Sequence, residues 1–257
     1  MDDLFFCEAL DGDIEAVQFI VDTILERKDL KVISVSTNEE YKSAALRSVR
    51  LDIRAECEDG RIIDIEIQRA KNGADPRRAR IYSSYIDRTL LEKGTEFSEA
   101  ADTYVIFITE KDVYGEGLAM YHIERRIEEL NGILFNDGAH IIYVNGEYLD
   151  ESHPVGRLMH DLWCTDADDM HSSILAGRVR YMKEDEGGVN CMCESMEKLL
   201  DRERAEGREE GREEGREEGR EEGSVETVRT LVRLGKLSVE DAAETLGISP
   251  ETILENL

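Results

Sequence analysis

Residues 50–68 read RLDIRAECEDGRIIDIEIQ, and this stretch decides the fold. Apolar and polar residues alternate on both sides of Asp59-Gly60, which predicts two antiparallel strands joined by a tight hairpin. Since successive side chains of a strand point to opposite faces, the length of the loop determines which charged groups lie side by side.

Two loop lengths are compatible with the Asp59-Gly60 dipeptide. A two-residue turn would place Asp52 opposite Ile67 and would mix apolar and charged groups on both faces. A three-residue loop, with Gly60 left-handed in a bulge, would place Asp52 opposite Glu66. Because one buried face specifies the register strongly, we predict the three-residue loop. The apolar face then comprises Leu51, Ile53, Ala55, Cys57, Ile63, Ile65 and Ile67, and the polar face comprises Asp52, Arg54, Glu56, Asp64, Glu66 and Gln68.

The polar face sets Asp52 against Glu66, and carboxylates directly opposite each other repel. A bound cation removes this repulsion, and hard oxygen ligands suit Mg²⁺ or Mn²⁺. Such a metal activates water and stabilises charge on a phosphate. The alternative is a solvated face on which Arg54 and Asp64 form an ordinary cross-strand pair. The hairpin alone favours this alternative, because half-exposed hairpins commonly carry carboxylates.

Helices and a buried strand are predicted around the hairpin. Apolar residues at helical spacing after Asp13, a candidate N-cap, predict a helix over about residues 13–27. Pro76 suits the first turn of a second helix that runs to about residue 92, and the apolar run Thr103–Thr109 predicts a buried strand. Residues 155–183 again have a helical pattern.

Six short segments follow one another in a recognisable order. They are Asp29-Leu30-Lys31-Val32-Ile33, Arg50-Leu51-Asp52-Ile53, Ile65-Glu66-Ile67-Gln68, Arg77-Arg78-Ala79-Arg80-Ile81-Tyr82, Tyr104-Val105-Ile106-Phe107-Ile108-Thr109-Glu110 and Ile142-Tyr143-Val144-Asn145-Gly146. Together they resemble the PD-(D/E)XK nuclease family of transposases, of the recombination-promoting nuclease type. The resemblance covers residues 1–185. It implies an α/β fold with a restriction-endonuclease-like core, in which helices flank a mixed central sheet.

The resemblance also implies roles for residues of the hairpin. Asp52 and Glu66 would be catalytic and would ligate Mg²⁺ or Mn²⁺, with the main-chain carbonyl of Ile67 as a third ligand. Gln68 stands at the catalytic position that usually holds Lys. Because Gln carries no positive charge and cannot accept a proton as an amine does, water activation would rest on the metal.

Secondary candidates for metal binding lie elsewhere in the chain. Glu8 and Glu15 are candidates for an additional acid, although an exposed helix carboxylate is the favoured interpretation of each. His160 and Cys164 are four residues apart and His171 follows, which is a metal-like spacing without a complete set of four ligands. Ordinary histidines and a buried thiol are favoured there.

A basic helix follows the acidic strand. Arg77, Arg80 and Arg88 lie near one of its faces and are candidates for DNA-phosphate binding, while Ile81 and Tyr85 can face the sheet, together with Leu91. The alternative is a solvated face with local ion pairs, and the sequence leaves both open.

The overall charge opposes DNA binding. Lys and Arg number 32 against 59 Asp and Glu, a formal net charge of −27, so nucleic acid is repelled unless a basic patch or bound cations offset the field. The five cysteines are scattered and do not suggest a disulfide framework, no secretory segment is evident, and no apolar run is long enough to span a membrane. We therefore expect a cytoplasmic protein without a membrane partner.

The composition changes at Gly207, where Gly-Arg-Glu-Glu is repeated four times up to residue 222. We predict a nuclease-like domain over residues 1–185, a linker and repeat over 186–223, and a small helical tail resembling a helix-turn-helix over 224–257. The repeat is interpreted as a solvated helix or, equally, as a flexible spacer. The final predicted helix, Pro250–Leu257, has no Arg or Lys, which favours assembly, including a homo-oligomer, over reading DNA.

Two hypotheses for function result. The first is a metal-dependent DNA endonuclease that hydrolyses phosphodiester bonds in recombination or for a mobile element. The second is a nuclease-fold binding or scaffold protein with weak or no catalysis, assembled through its C-terminal repeat and tail.

Overall fold

The computed structural model describes residues 3–41, 49–69, 74–90 and 96–247. The chain divides into two compact units, Met1–Ser195 and Met196–Leu257. The predicted boundaries at residues 185 and 223 remain predictions.

The first unit contains both helices and strands. Its helices are α1 (Asp3–Leu10), α2 (Ile14–Leu25), α3 (Pro76–Leu90), α4 (Pro154–Trp163) and α5 (Ser173–Glu184), with short 3-10 turns at Phe97–Glu99, Glu128–Leu130 and Ala167–Asp169. Its strands are β1 (Val32–Tyr41), β2 (Val49–Cys57), β3 (Ile62–Gln68), β4 (Thr103–Thr109), β5 (Met120–Ile123), β6 (Arg126–Ile127), β7 (Ile133–Leu134) and β8 (Ala139–Asn145).

Six of these strands form one mixed sheet in the order β1-β2-β3-β4-β8-β5, and β6 pairs with β7 separately. Strands β1 to β3 are antiparallel, β3, β4 and β8 are parallel, and β5 returns antiparallel to β8. The predicted fold class, a mixed sheet flanked by helices, is confirmed. Since parallel strands end at one edge, Gln68, Thr109 and Asn145 lie side by side there.

The hairpin has the predicted three-residue loop. Arg54 pairs with Asp64 across the strands, and the Cys57 N–H donates to the Arg61 carbonyl at 2.9 Å. The Gly60 N–H closes the turn on the Cys57 carbonyl at 3.0 Å, and Gly60 has a φ of +83°. The separation of apolar from charged side chains thus selects the loop length.

Helices cover both faces of the sheet. The face that carries Ile53, Ile65 and Ile106 packs against α1, α2 and α4. The opposite face, which carries Val105 and Phe107, packs against α3. Every residue of β4 is buried, as predicted for a strand covered on both sides.

The alternative prediction, a solvated polar face of the hairpin, is wrong for the middle of β3. Asp64 and Glu66 are each 0% exposed, because α3 covers this part of the sheet. Leu51 was predicted to share a face with Ile53, but it packs in the α3 cluster. The described pairing of β2 with β3 ends at Ile53↔Ile65.

The orientation of α3 differs in part from the prediction. Its buried side chains are Ala79, Tyr82, Ser83 and Ile86, whereas Ile81 is 46% exposed. Arg77, Arg80 and Arg88 are exposed, and Leu91 lies outside the described residues. Arg78 and Tyr82, one helical turn apart, face inward, and Arg78 donates hydrogen bonds to Glu66 and Gln68 of β3.

The repeat lies within a single helix, α6 (Glu186–Arg233), which matches the helical interpretation of this segment. In the second unit, α7 (Val239–Leu246) is capped by the Ser238 side chain and ends at the left-handed Gly247. Val228, Ala242 and Ala243 form a small apolar cluster. The predicted helix Pro250–Leu257 lies outside the described residues. Among the helices described, none is both long and apolar enough to cross a membrane.

Candidate metal-dependent active site

Asp52 and Glu66 are each tied to the backbone of the other's strand. The Asp52 N–H donates to Oε1 of Glu66 at 2.8 Å, and the Ile67 N–H donates to Oδ2 of Asp52 at 3.2 Å. These bonds follow directly after the last regular pair, Ile53↔Ile65. The structure therefore brings both carboxylates into one gap between β2 and β3.

Glu66 is fully buried, and its electrostatic surroundings are unfavourable to a free carboxylate. Burial, followed by the nearby charge of Asp52, raises the pKa of Glu66 to about 8, while the Asp52 N–H and Arg78 act in the opposite direction. A dication beside this pair would favour ionised Glu66 and compensate for the repulsion.

Arg78 completes the site, and our sequence reasoning missed it. Its guanidinium donates to Oε2 of Glu66 at 3.0 Å, to Oε1 of Gln68 at 2.9 Å and to the Tyr82 hydroxyl at 2.7 Å. It also lies 4.9 Å from the centre of the Tyr82 ring. The spacing of Arg78 and Tyr82, one helical turn apart, was the available signal, since both side chains share a face.

Gln68 lies at the end of β3 within this network. Its Oε1 accepts the bond from Arg78, and its Nε2 lies 3.5 Å from Oε2 of Glu66. A positive charge, that of the α3 residue Arg78, therefore lies next to Gln68.

Asp64 is a further buried acid next to the pair. Neither of its carboxylate oxygens has a hydrogen-bond partner among the residues that the structure describes. Burial raises the pKa of Asp64 well above its ordinary value, and the charges of Glu66 and Asp52 raise it further. The expected ion pair with Arg54 is not formed. Arg54 instead lies 3.7 Å from Glu39 and 3.6 Å from Glu56, because the Asp64 side chain is enclosed under α3.

The other predicted site residues lie farther out or carry no contact that decides their role. Arg77, Arg80 and Arg88 are exposed on the outer side of α3. Glu8 is half-buried in α1, and Glu15 is exposed in α2, where it lines a surface pocket of about 380 Å³ with residues of α5. Their proposed roles, and that of the Ile67 carbonyl, stay predictions.

The donor set of the hairpin fits a small, hard dication. Two carboxylates and a main-chain carbonyl are oxygen ligands of the kind that Mg²⁺ and Mn²⁺ prefer. The buried carboxyl of Asp64 lies next to this pair, and its oxygens have no hydrogen-bond partner among the described residues. The residues therefore fit the metal that the resemblance implies.

The comparisons with known proteins agree with this picture at the level of the family. A family model described as PD-(D/E)XK nuclease family transposase matches residues 9–171, which is more than half of the chain. No curated protein and no solved structure matches the chain. The matched range contains Asp52, Glu66, Gln68 and Arg78. The chain belongs to the PD-(D/E)XK nuclease family of transposases.

Proposed function

We propose that this protein is a Mg²⁺- or Mn²⁺-dependent DNA endonuclease that acts in the cytoplasm, in recombination or for a mobile element. The observation that carries the proposal is the reciprocal bonding of Asp52 and Glu66, which sets two carboxylates in one gap with Arg78 against it. Membership of a nuclease family supports DNA as the substrate.

Asp52, Glu66 and the carbonyl of Ile67 would hold the metal. When bound, the metal supplies a nucleophilic water and stabilises negative charge on the phosphate. The backbone bonds to Asp52 and Glu66 fix the two carboxylates before the metal arrives, so little ordering is required at the moment of binding.

Arg78 would take over the electrostatic role of the usual Lys. Its guanidinium is always charged, it is held by three side chains, and it lies next to the residue at that position, Gln68. A planar guanidinium can also donate to a phosphate oxygen, so Arg78 can stabilise charge on the scissile group. Gln68 would position Arg78 and accepts no proton.

The exposed arginines of α3 would offset the net charge of −27 locally. Arg77, Arg80 and Arg88 face solvent on the helix that also carries Arg78. Contacts of this kind bind phosphates without regard to sequence, and their strength falls as salt rises. We therefore expect DNA binding to weaken steeply with ionic strength.

The direct experiment is cleavage of plasmid DNA in the presence of Mg²⁺ or Mn²⁺, with EDTA as the metal-free control. Asp52→Asn and Glu66→Gln should abolish cleavage while the circular dichroism spectrum is unchanged. Glu56→Gln is the matched control, since it neutralises an acid of the same strand outside the pair. Full activity in the double variant of Asp52 and Glu66 would exclude the proposal.

One observation favours a second candidate function. The side-chain oxygen of Gln68 is already engaged by Arg78, and the chain lacks a Lys there, so a nuclease fold retained for binding or as a scaffold is the alternative. Assembly would then use the C-terminal repeat and tail. DNA binding without cleavage under any metal condition would support this candidate.

A further inference from the structure

Three metal-binding side chains converge at a second place in the fold. Glu151, His160 and His171 each present one ligand atom, and the three atoms lie within 4.8 Å of one another. Among the residues that the structure describes, this is the one group of three or more His, Cys, Asp and Glu side chains with that property. The sequence indicated the two histidines but gave no sign of Glu151.

The spacing within this triad suits a bound ion. Nε2 of His171 lies 3.8 Å from Oε1 of Glu151, and the rings of His160 and His171 have centres 4.6 Å apart at an angle of 57°. The donor atoms around a tetrahedral Zn²⁺, each about 2.0–2.1 Å from the metal, are about 3.4 Å apart. Small rotations of these side chains therefore reach coordination distance, and Glu151 and His171 are exposed and free to make them.

A buried carboxylate supports both histidines. Asp161 is 1% exposed, and its two oxygens accept hydrogen bonds from the backbone N–H groups of His171 and Ser172, each at 2.7 Å. Oδ1 of Asp161 also lies 3.3 Å from Nδ1 of His160. Metal-binding histidines usually pair their second nitrogen with such a carboxylate. With Nδ1 donating to Asp161, Nε2 of His160 keeps the lone pair that a metal needs.

The donor set differs from that of the hairpin. Two imidazole nitrogens and one carboxylate form a set that selects Zn²⁺ or a similar transition metal over Mg²⁺, and three protein ligands leave one position for water. We infer that Glu151, His160 and His171 form a Zn²⁺ site, separate from the Asp52–Glu66 pair, which joins the turn before α4 to the segment before α5. The inference does not depend on the proposed nuclease function.

The test is a Zn²⁺ titration by calorimetry in a background that removes the other candidate ligands. Cys191 and Cys193 are exposed thiols and are replaced by Ser, and Glu66 is replaced by Gln. We expect one Zn²⁺ per chain, with affinity reduced by at least about a hundredfold in His171→Ala, which removes a ligand and not merely an outer partner. His122→Ala, an exposed histidine of β5, is the matched control and should bind as the background does.

A second variant and a second measurement make the result independent of any one substitution. Glu151→Gln should weaken Zn²⁺ binding at least about tenfold. Zn²⁺ should raise the thermal unfolding midpoint of the background chain and should leave that of His171→Ala unchanged, because a ligand stabilises only a fold that binds it. The absence of saturable binding in the background, or an unchanged affinity in His171→Ala, overturns the inference.

Discussion

Replacing Glu66 by Gln tests the electrostatics of the hairpin in the metal-free protein. The pKa of Glu66 rises from 4.5 to about 8 because the side chain is buried and because Asp52 repels its charge. An acid that holds its proton more tightly in the folded than in the unfolded chain makes stability fall as pH rises. The tighter binding of this proton stabilises the folded chain. Its stabilising effect is fully present below pH 4.5 and is lost progressively as pH rises to about 8.

The size of the effect follows from that interval. At pH 7 the solution is about 2.5 pH units above the pKa of Glu66 in the unfolded chain and still below its pKa in the folded chain. Since one pH unit corresponds to about 1.4 kcal/mol, the folded chain has lost about 3 kcal/mol of stability at this pH. Glu66 is 0% exposed, so solvent screening does not reduce this figure. Gln does not titrate. Its single side-chain oxygen can still accept from the Asp52 N–H, while its NH2 group replaces the oxygen that accepts from Arg78, a loss that does not depend on pH. Relative to the wild type, the variant should therefore gain up to about 3 kcal/mol between pH 4.5 and pH 7.

Urea unfolding in EDTA measures this gain. The free energy of unfolding is determined for both proteins at several values between pH 4.5 and pH 8, and the difference between them is plotted against pH. Asp64 is present in both chains, so the difference reports mainly on Glu66. A difference that is constant across this range would refute the reasoning, because it would mean that Glu66 does not titrate there.

Substitutions at three further positions test other parts of the hairpin and its contact with α3. Arg78→Ala should reduce plasmid cleavage at least about tenfold and should lower the free energy of unfolding by about 2 kcal/mol at pH 9, since Glu66 loses its ion pair. Arg78→Lys should recover part of both losses. Wild-type cleavage in the Ala variant would contradict the role of Arg78. Asp64→Asn should raise the free energy of unfolding at pH 8 and leave it nearly unchanged at pH 4, as measured by urea unfolding, because burial raises the pKa of Asp64. A loss of stability at pH 8 would show that ionised Asp64 has a partner. Gly60→Ala should lower the unfolding free energy by about 1 kcal/mol through its positive φ, and an unchanged value would contradict the left-handed bulge.

Local patterns were enough to predict the hairpin. The alternation on both sides of Asp59-Gly60 fixed which residues oppose each other, because only one register separates apolar from charged groups. The buried strand Thr103–Thr109 was predicted with its observed bounds for a similar reason, since a continuous apolar run has no solvent-facing side.

Long-range packing accounts for what the sequence did not reveal. The burial of Asp64 and Glu66 depends on α3, which covers the polar face only after the chain has folded back over the sheet. The segment Arg77-Arg78-Ala79-Arg80 contains three arginines, and charge alone does not indicate which of them turns inward. The inward position of Tyr82 and the bonds to Gln68 decide this.

The second metal-binding cluster illustrates the same limit. Its members are separated by 9 and 11 residues and lie on a turn, on a helix and before another helix. Their convergence depends on the buried Asp161, whose bonds to the backbone of His171 and Ser172 bring that segment back to α4. A sequence pattern contains the histidines but not this connection.

The central claim is that one dication binds between Asp52 and Glu66. Mn²⁺ binding followed by electron paramagnetic resonance tests it most directly, in a His171→Ala chain so that the second cluster does not contribute. We predict one bound Mn²⁺ per chain, its loss when Asp52→Asn and Glu66→Gln are combined, and its retention in Glu56→Gln. Equal Mn²⁺ binding with and without the two acids would contradict the claim.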